Sequence, residues 1–245
     1  MRNFKLCLSY DGSRYRGWQK QGNTPDTIQE KLEALLSRLL EQPVELHGSG
    51  RTDAGVHASC QTCSFRADTA LPCPRLLELI RSHLPEDIGA LSLEEAEPSF
   101  HARLSCRKKS YVYFIWNSSS PNVFYRKYSG TCPEALDTEA MERAARLLLG
   151  EHDFSSFCSL RRMKKSAVRR LDRVAISREG DMLRMEFTGS GFLYNMVRIL
   201  VGTLIEVGRG ERSPEDMPAL LSARNRQAAG FTAPAHGLFL WEQSY

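Results

Sequence analysis

The sequence predicts an α+β fold built from two halves, each with the order β-α-β-β-α-β. Three observations carry that prediction. Short β-rich runs end at Gly, Pro or Asp turns, segments with helical apolar spacing lie between them, and the same order of elements occurs twice along the 245 residues. This is the ferredoxin-like order that RNA-recognition (RRM-like) domains also use, and the two halves are predicted to share a mostly antiparallel sheet around a central cleft. The boundary falls between residues 1–105 and 106–245. The duplication rests on element order, since the halves show no residue-level self-similarity.

In the first half, residues 4–10 alternate as a strand and break at Asp11-Gly12. Thr27-Ile28-Gln29-Glu30 has the form of a capping box, after which Ile28, Leu32, Leu35, Leu36, Leu39 and Leu40 share one helical face. Pro43 ends that helix and a short strand follows at 44–47. A glycine-rich turn spans 48–55, a strand 56–65, a helix 74–84 and a strand 88–96. The second half opens with an aromatic strand at 110–116 and a helix at 138–149. A hairpin of strands 171–177 and 182–188 turns at Glu179-Gly180-Asp181. An apolar helix at 192–207, a short helix at 214–223 and a last strand at 237–241 complete it. Residues 150–154 read as the exit from the helix before them.

Composition narrows the class. The chain is 42% apolar and 25% charged, enough for a substantial core, and its 17 glycines and 11 prolines are dispersed. No apolar run reaches the roughly 18 residues of a membrane helix, and the N-terminus has no signal-peptide pattern, so a cytoplasmic location is expected. Seven unevenly spaced cysteines argue against a secreted disulfide scaffold, and reduced thiols are expected. The net charge of +4 is unevenly divided: residues 1–105 carry −2 and residues 106–245 carry +6. Arg161, Arg162, Lys164, Lys165, Arg169, Arg170 and Arg173 put seven positive charges within 13 residues. Such clustering suits a polyanionic partner, although a solvated loop shows it too.

Several groupings are candidates for chemistry. The turn Gly48-Ser49-Gly50-Arg51-Thr52-Asp53-Ala54-Gly55 fits neither a P-loop nor a dinucleotide fingerprint. It either presents Arg51 and Asp53 at the sheet edge or is a hairpin whose Asp caps its own backbone. Arg198 is the one charged residue between Gly189 and Ile205, in the middle of the predicted apolar helix. It needs a carboxylate such as Asp53, unless it snorkels at the helix edge. Tyr111 and Tyr113 alternate onto one strand face, where tyrosine either stacks a base or simply packs. His57, Cys60 and Cys63 have a passing zinc spacing, but an extended strand sends Cys60 and Cys63 to opposite faces. His152, Asp153, Ser155 and Ser156 lack the nucleophile elbow of a hydrolase.

Six motifs, in order and spanning almost the whole chain, carry a resemblance to a known family. They are Tyr10-Asp11-Gly12 with Gly17-Trp18-Gln19, Gly50-Arg51-Thr52-Asp53-Ala54-Gly55-Val56-His57-Ala58, and Lys109-Ser110-Tyr111-Val112-Tyr113. Then come His152-Asp153-Phe154-Ser155-Ser156-Phe157, Phe192-Leu193-Tyr194-Asn195-Met196-Val197-Arg198 and Ala233-Pro234-Ala235-His236-Gly237-Leu238. With these the chain closely resembles the bacterial tRNA pseudouridine synthase A family. The resemblance implies isomerisation of uridine to pseudouridine at positions 38, 39 and 40 of the tRNA anticodon stem-loop, by a homodimer that needs no cofactor or metal. It assigns the catalytic carboxylate to Asp53, its partner to Arg198, base flipping to Arg51 and contact with the target base to Tyr111. The basic residues Arg161, Arg162, Lys164, Lys165, Arg169 and Arg170 are the expected tRNA contacts. The rival from another class is a non-catalytic tRNA-binding or chaperone protein on the same fold, whose mark would be loss of Asp53.

Overall fold

The computed structural model describes residues 1–160 and 166–245, and its contacts divide the chain into two compact units. The first comprises residues 1–107 and 239–245, the second residues 108–238.

The first unit runs β1 (Arg2–Tyr10), α1 (Ile28–Leu40), β2 (Leu46–Gly48), β3 (His57–Ala67), α2 (Cys73–His83) and β4 (Ile88–Ala96), with β10 (Leu238–Ser244) added from the C-terminus. Strand β1 is central and antiparallel to both β3 and β4. The short β2 pairs antiparallel with one end of β3 at Phe65–Cys63, and β10 pairs parallel with its other end at His57 and Ala58. Residues 239–245, counted in the second half on sequence, therefore complete the first unit's sheet. Alternation along β1 buries Phe4, Leu6 and Leu8 completely, against Ile28, Leu32 and Leu36 of α1 and Leu76 and Ile80 of α2 in the same core.

Helix α1 begins where expected, with Thr27 Oγ1 accepting from the Glu30 amide at 3.3 Å. The reciprocal half of the predicted capping box is not made, because the Glu30 carboxylate pairs with Lys20 at 2.9 Å. The helix ends at Glu41, whose φ of 52° is left-handed. Two buried polar residues fasten it to the next strand. Gln29 donates to Glu33 (2.9 Å) and to the Leu46 carbonyl (3.1 Å), and the Leu46 amide donates back to Glu33 (3.0 Å). That clamp fixes β2, and β2 leads directly into the glycine-rich turn.

The second unit contains β5 (Lys108–Trp116), β6 (Gly130–Thr131), α3 (Thr138–Arg146), β7 (Gly150–Asp153), β8 (Val168–Glu179), β9 (Met182–Gly189), α4 (Met196–Gly208) and α5 (Met217–Ala223). Its sheet has the order β5-β9-β8-β7, antiparallel throughout, with β6 parallel to β5. The predicted hairpin forms, with Gly180 at φ 56° in its turn. Two expectations are corrected. Residues 150–153 are not a helix exit but the strand β7, because Gly150 at φ 101° turns the chain onto β8. The apolar helix starts at Met196 rather than at 192, because Asn195 at φ 61° is left-handed and cannot continue a helix.

Cys7 on β1 and Cys60 on β3 lie diagonally across the strand pair, Cys7 standing opposite Thr62, with Cα atoms 6.1 Å apart, and are joined as a disulfide. That differs from the expectation of free thiols throughout, and follows from strand pairing that brings two residues distant in sequence to diagonal positions on neighbouring strands.

Candidate active site

The turn between β2 and β3 has no regular structure, yet it is held at many points. Ser49 donates from its amide to the Thr62 carbonyl (2.8 Å) and from its hydroxyl to Gln61 (2.7 Å), while Gln61 donates to the Gly50 carbonyl (2.7 Å). The Thr52 carbonyl accepts from the Trp18 amide (3.0 Å), and the Thr52 hydroxyl bonds Tyr10 (2.8 Å). The Asp53 carbonyl accepts from the Val56 amide (3.1 Å), closing a tight turn through Gly55 at φ 77°.

Two glycines outside the turn make this approach possible. A Cβ on Gly12 would sit 2.0 Å from the Val56 carbonyl oxygen, and one on Gly17 (φ 94°) would sit 2.7 Å from the Thr52 carbonyl oxygen. Buried His57 closes the arrangement: its Nδ1 accepts from the Gly12 amide at 3.0 Å, lies 3.1 Å from Asp11, and its ring stacks on Phe239 at 4.6 Å. The Tyr10-Asp11-Gly12 and Gly17-Trp18 motifs are thus the scaffold of the Asp53 turn. On that scaffold Asp53 is half-buried and Arg51 is exposed. Sequence reasoning gave no supporting role to Gln61, Gln29 or Glu33. Their one signal was a buried-type pattern interrupted by polar residues.

In the second unit, Tyr111 and Tyr113 both lie buried on β5, two residues apart and so on one face. Tyr111 meets Phe192 edge-on at 5.0 Å. Tyr113 donates its hydroxyl to the Pro234 carbonyl (3.0 Å), and Gly130 and Gly237 press so closely on its ring that a Cβ on either would fall 2.6 Å away. Arg198 belongs to the first turn of α4 rather than its centre. It is half-buried and locked in place: Nε donates to the Ala233 carbonyl (2.7 Å), Nη1 donates to Asn195 (2.9 Å), and its own carbonyl accepts from the Ala233 amide (3.0 Å). Burial raises the Tyr113 pKa, and the nearby Arg198 charge opposes that rise. The Tyr motif, the Arg198 motif and the Ala233-Pro234 motif therefore meet in one cluster.

The basic stretch is only partly within view. Arg161, Arg162, Lys164 and Lys165 lie outside the described residues. Arg169 donates to the Ser166 (2.9 Å) and Val168 (2.6 Å) carbonyls, and Arg170 pairs with Asp172 at 2.9 Å, which Lys108 also meets at 3.0 Å. The motif at 152–157 forms no nucleophile–base pair. Asp153 accepts from the Ser155 amide (3.0 Å) and hydroxyl (2.5 Å), and His152 Nε2 bonds the Leu149 carbonyl (2.8 Å). Among the described residues no three His, Cys, Asp or Glu side chains are grouped to hold a metal ion, and no helix is long and apolar enough to cross a membrane.

The comparisons with known proteins agree with one another. A family model described as tRNA pseudouridine synthase matches residues 6–104 and 144–245. The chain is 40% identical over 240 residues to a tRNA pseudouridine synthase A 2 of Bacillus cereus strain ZK / E33L, covering 98% of each. It is 42% identical over 245 residues to tRNA pseudouridine synthase A of Acetivibrio thermocellus, covering all of both chains. A solved chain from a Cbf5-Nop10-Gar1 complex overlays 83% of this chain and 45% of its own at 12% identity and a TM-score of 0.39. With matches to the family model over both units and to full-length relatives at this identity, the chain belongs to the tRNA pseudouridine synthase family.

Proposed function

We propose that this chain isomerises uridine to pseudouridine at positions 38, 39 and 40 of the tRNA anticodon stem-loop, with Asp53 as the nucleophile acting on a flipped-out base and with no cofactor. The observation that carries the reading is the Asp53 turn: a half-buried carboxylate whose backbone neighbours are fixed on both sides. A nucleophile that must meet one atom of one base needs such placement, since small displacements of reacting groups are costly.

A uridine in a stem has to leave the stack, at a cost of about a few kcal/mol. In this reading Arg51, exposed beside the nucleophile, helps draw the base out, and Tyr111 stacks on the uracil. Arg198 pairs with the Asp53 carboxylate, which favours its ionised, attacking form. Phosphate contacts from Arg169 and Arg170, together with Arg161, Arg162, Lys164 and Lys165, offset the unstacking. Asp53 adds to the sugar C1′ as the N1–C1′ bond breaks, adds to the ring C6 before that bond breaks, or removes the C2′ proton as the base leaves to give a glycal. All three routes end with the base rotated and joined through a new C5–C1′ bond, the C5 proton lost to solvent and N1 protonated in its place.

The architecture that goes with this reading is a pair of ferredoxin-like halves. Its support is the β-α-β-β-α-β order of the first unit, with β1 between β3 and β4 and β2 outside β3. The enzyme works in the cytoplasm as a homodimer with one tRNA across both subunits. The test is tritium release from C5-labelled uridine in tRNA by wild type and Asp53→Asn. Release by wild type alone, with at least about a thousandfold loss in the variant, is expected. No release from either, with tRNA binding intact, would overturn the enzyme reading in favour of a binding protein.

A further inference from the structure

We propose that the His152-Asp153 motif presents Arg224 as a binding site for a phosphodiester of the tRNA backbone. The site rests on the proposed function for its ligand but stands on its own observations. A cavity of about 360 Å³ in the second unit is lined by His152, Asp153, Leu221, Ser222 and Arg224. Strand β7 forms one wall and the end of α5 the other. Ser156, fully buried, holds the two together: its hydroxyl donates to the Leu220 carbonyl (2.6 Å) and accepts from the Asn225 amide (2.9 Å). Arg224 lies between those two anchor points, with a left-handed backbone (φ 48°) that points the chain out of the helix.

Its side chain is oriented from one end only. Nε lies 3.1 Å from Asp153 Oδ2, while Asp153 Oδ1 is engaged by Ser155. Among the described residues neither Nη atom of Arg224 makes a hydrogen bond, and the side chain lines the cavity and is largely exposed, so its two forked donors are open to a ligand. The pair adds little to the fold, because the Arg224 side chain is 69% exposed and such surface pairs contribute about 0–1 kcal/mol. What the carboxylate does for the guanidinium is aim it. A planar fork held at Nε by a carboxylate on the edge strand of a sheet suits a phosphate oxygen pair better than a base edge.

The test is tRNA affinity against salt for wild type, Arg224→Ala, Arg224→Lys and Asp153→Asn, with melting temperatures and single-turnover tritium release on the same preparations. Arg224→Ala should weaken binding about fivefold near physiological salt and reduce the log–log salt slope by about one, with the rate at saturating tRNA within about twofold of wild type. Arg224→Lys should restore the slope. Asp153→Asn, which leaves the cation but removes its orientation, should weaken binding with the slope unchanged. An unchanged affinity and slope in Arg224→Ala, or a lowered melting temperature with an unchanged slope, would overturn the site and leave Arg224 a clasp between β7 and α5. Wild type that binds tRNA but releases no tritium would instead count against the proposed reaction, independently of the slope.

Discussion

The two units hold their candidate residues by different means. Asp53 sits on an irregular turn whose position is set by backbone approaching backbone, with Gly12 and Gly17 as the points of contact. Tyr111 and Arg198 sit on regular elements, a strand and the first turn of a helix, and are placed by ladder bonds and a few side-chain hydrogen bonds. The first arrangement depends on backbone contact at glycines, and the second on hydrogen bonds made by side chains. A single methyl group should therefore damage the turn more than loss of a polar contact damages the cluster.

The largest effect is expected from Gly12→Ala. Its new methyl would stand 2.0 Å from the Val56 carbonyl oxygen, a backbone atom that cannot rotate away, so the turn carrying Asp53 has to shift. A displacement of about 1 Å is enough to lower turnover about a hundredfold. Gly22→Ala is the matched control, since nothing lies within 4 Å of a Cβ there. Single-turnover tritium release should drop for the first variant and hold for the second. Equal rates in the two would mean that the turn yields easily, and the contrast between the units would fail.

Arg198→Lys probes the other arrangement and should cost less. The charge is retained, but Lys cannot reproduce the fork that bonds Ala233 and Asn195 together. Turnover is expected to fall about tenfold, and stability by about 1–2 kcal/mol as the Ala233 carbonyl loses its donor. Turnover below that of Gly12→Ala would reverse the ranking and make the cluster the more exacting of the two.

The same contrast explains how much could be read from the sequence. Elements with a strong period were legible: β4 begins and ends where expected, and Tyr111 and Tyr113 share a face because alternation requires it. Motif order identified the family through Asp53 and its neighbours, which depend on residue identity rather than on geometry. What was missed depends on the backbone or on distant partners. Asn195 in a left-handed conformation moved the start of α4 and put Arg198 in its first turn. Gly150 made a strand of a supposed helix exit, and Glu30 left its capping partner for Lys20. The supports of the Asp53 turn come from Tyr10, Gly12, Gly17 and Gln61, and only the folded chain brings them together.

The smallest effect separates packing from chemistry within the second unit. Tyr113 shares its face with Tyr111, but it is fully buried, its hydroxyl is spent on Pro234, and two glycines close over its ring. Tyr113→Phe should therefore leave turnover within about twofold while costing about 1 kcal/mol for the lost hydrogen bond. Its signature is a pH dependence. Burial raises the folded-state pKa above the ordinary value near 10, so the neutral phenol is favoured by the fold. That contribution is complete below about pH 10, and it is lost as pH rises because the unfolded chain releases its proton first. Tyr15 and Tyr245, also raised by burial, keep an alkaline decline in the variant, but Tyr113→Phe should make it shallower. Denaturant midpoints between about pH 9 and 11 measure the difference. Parallel curves would show that Tyr113 ionises as easily folded as unfolded, and a large loss of turnover at neutral pH would place its hydroxyl among the reacting groups.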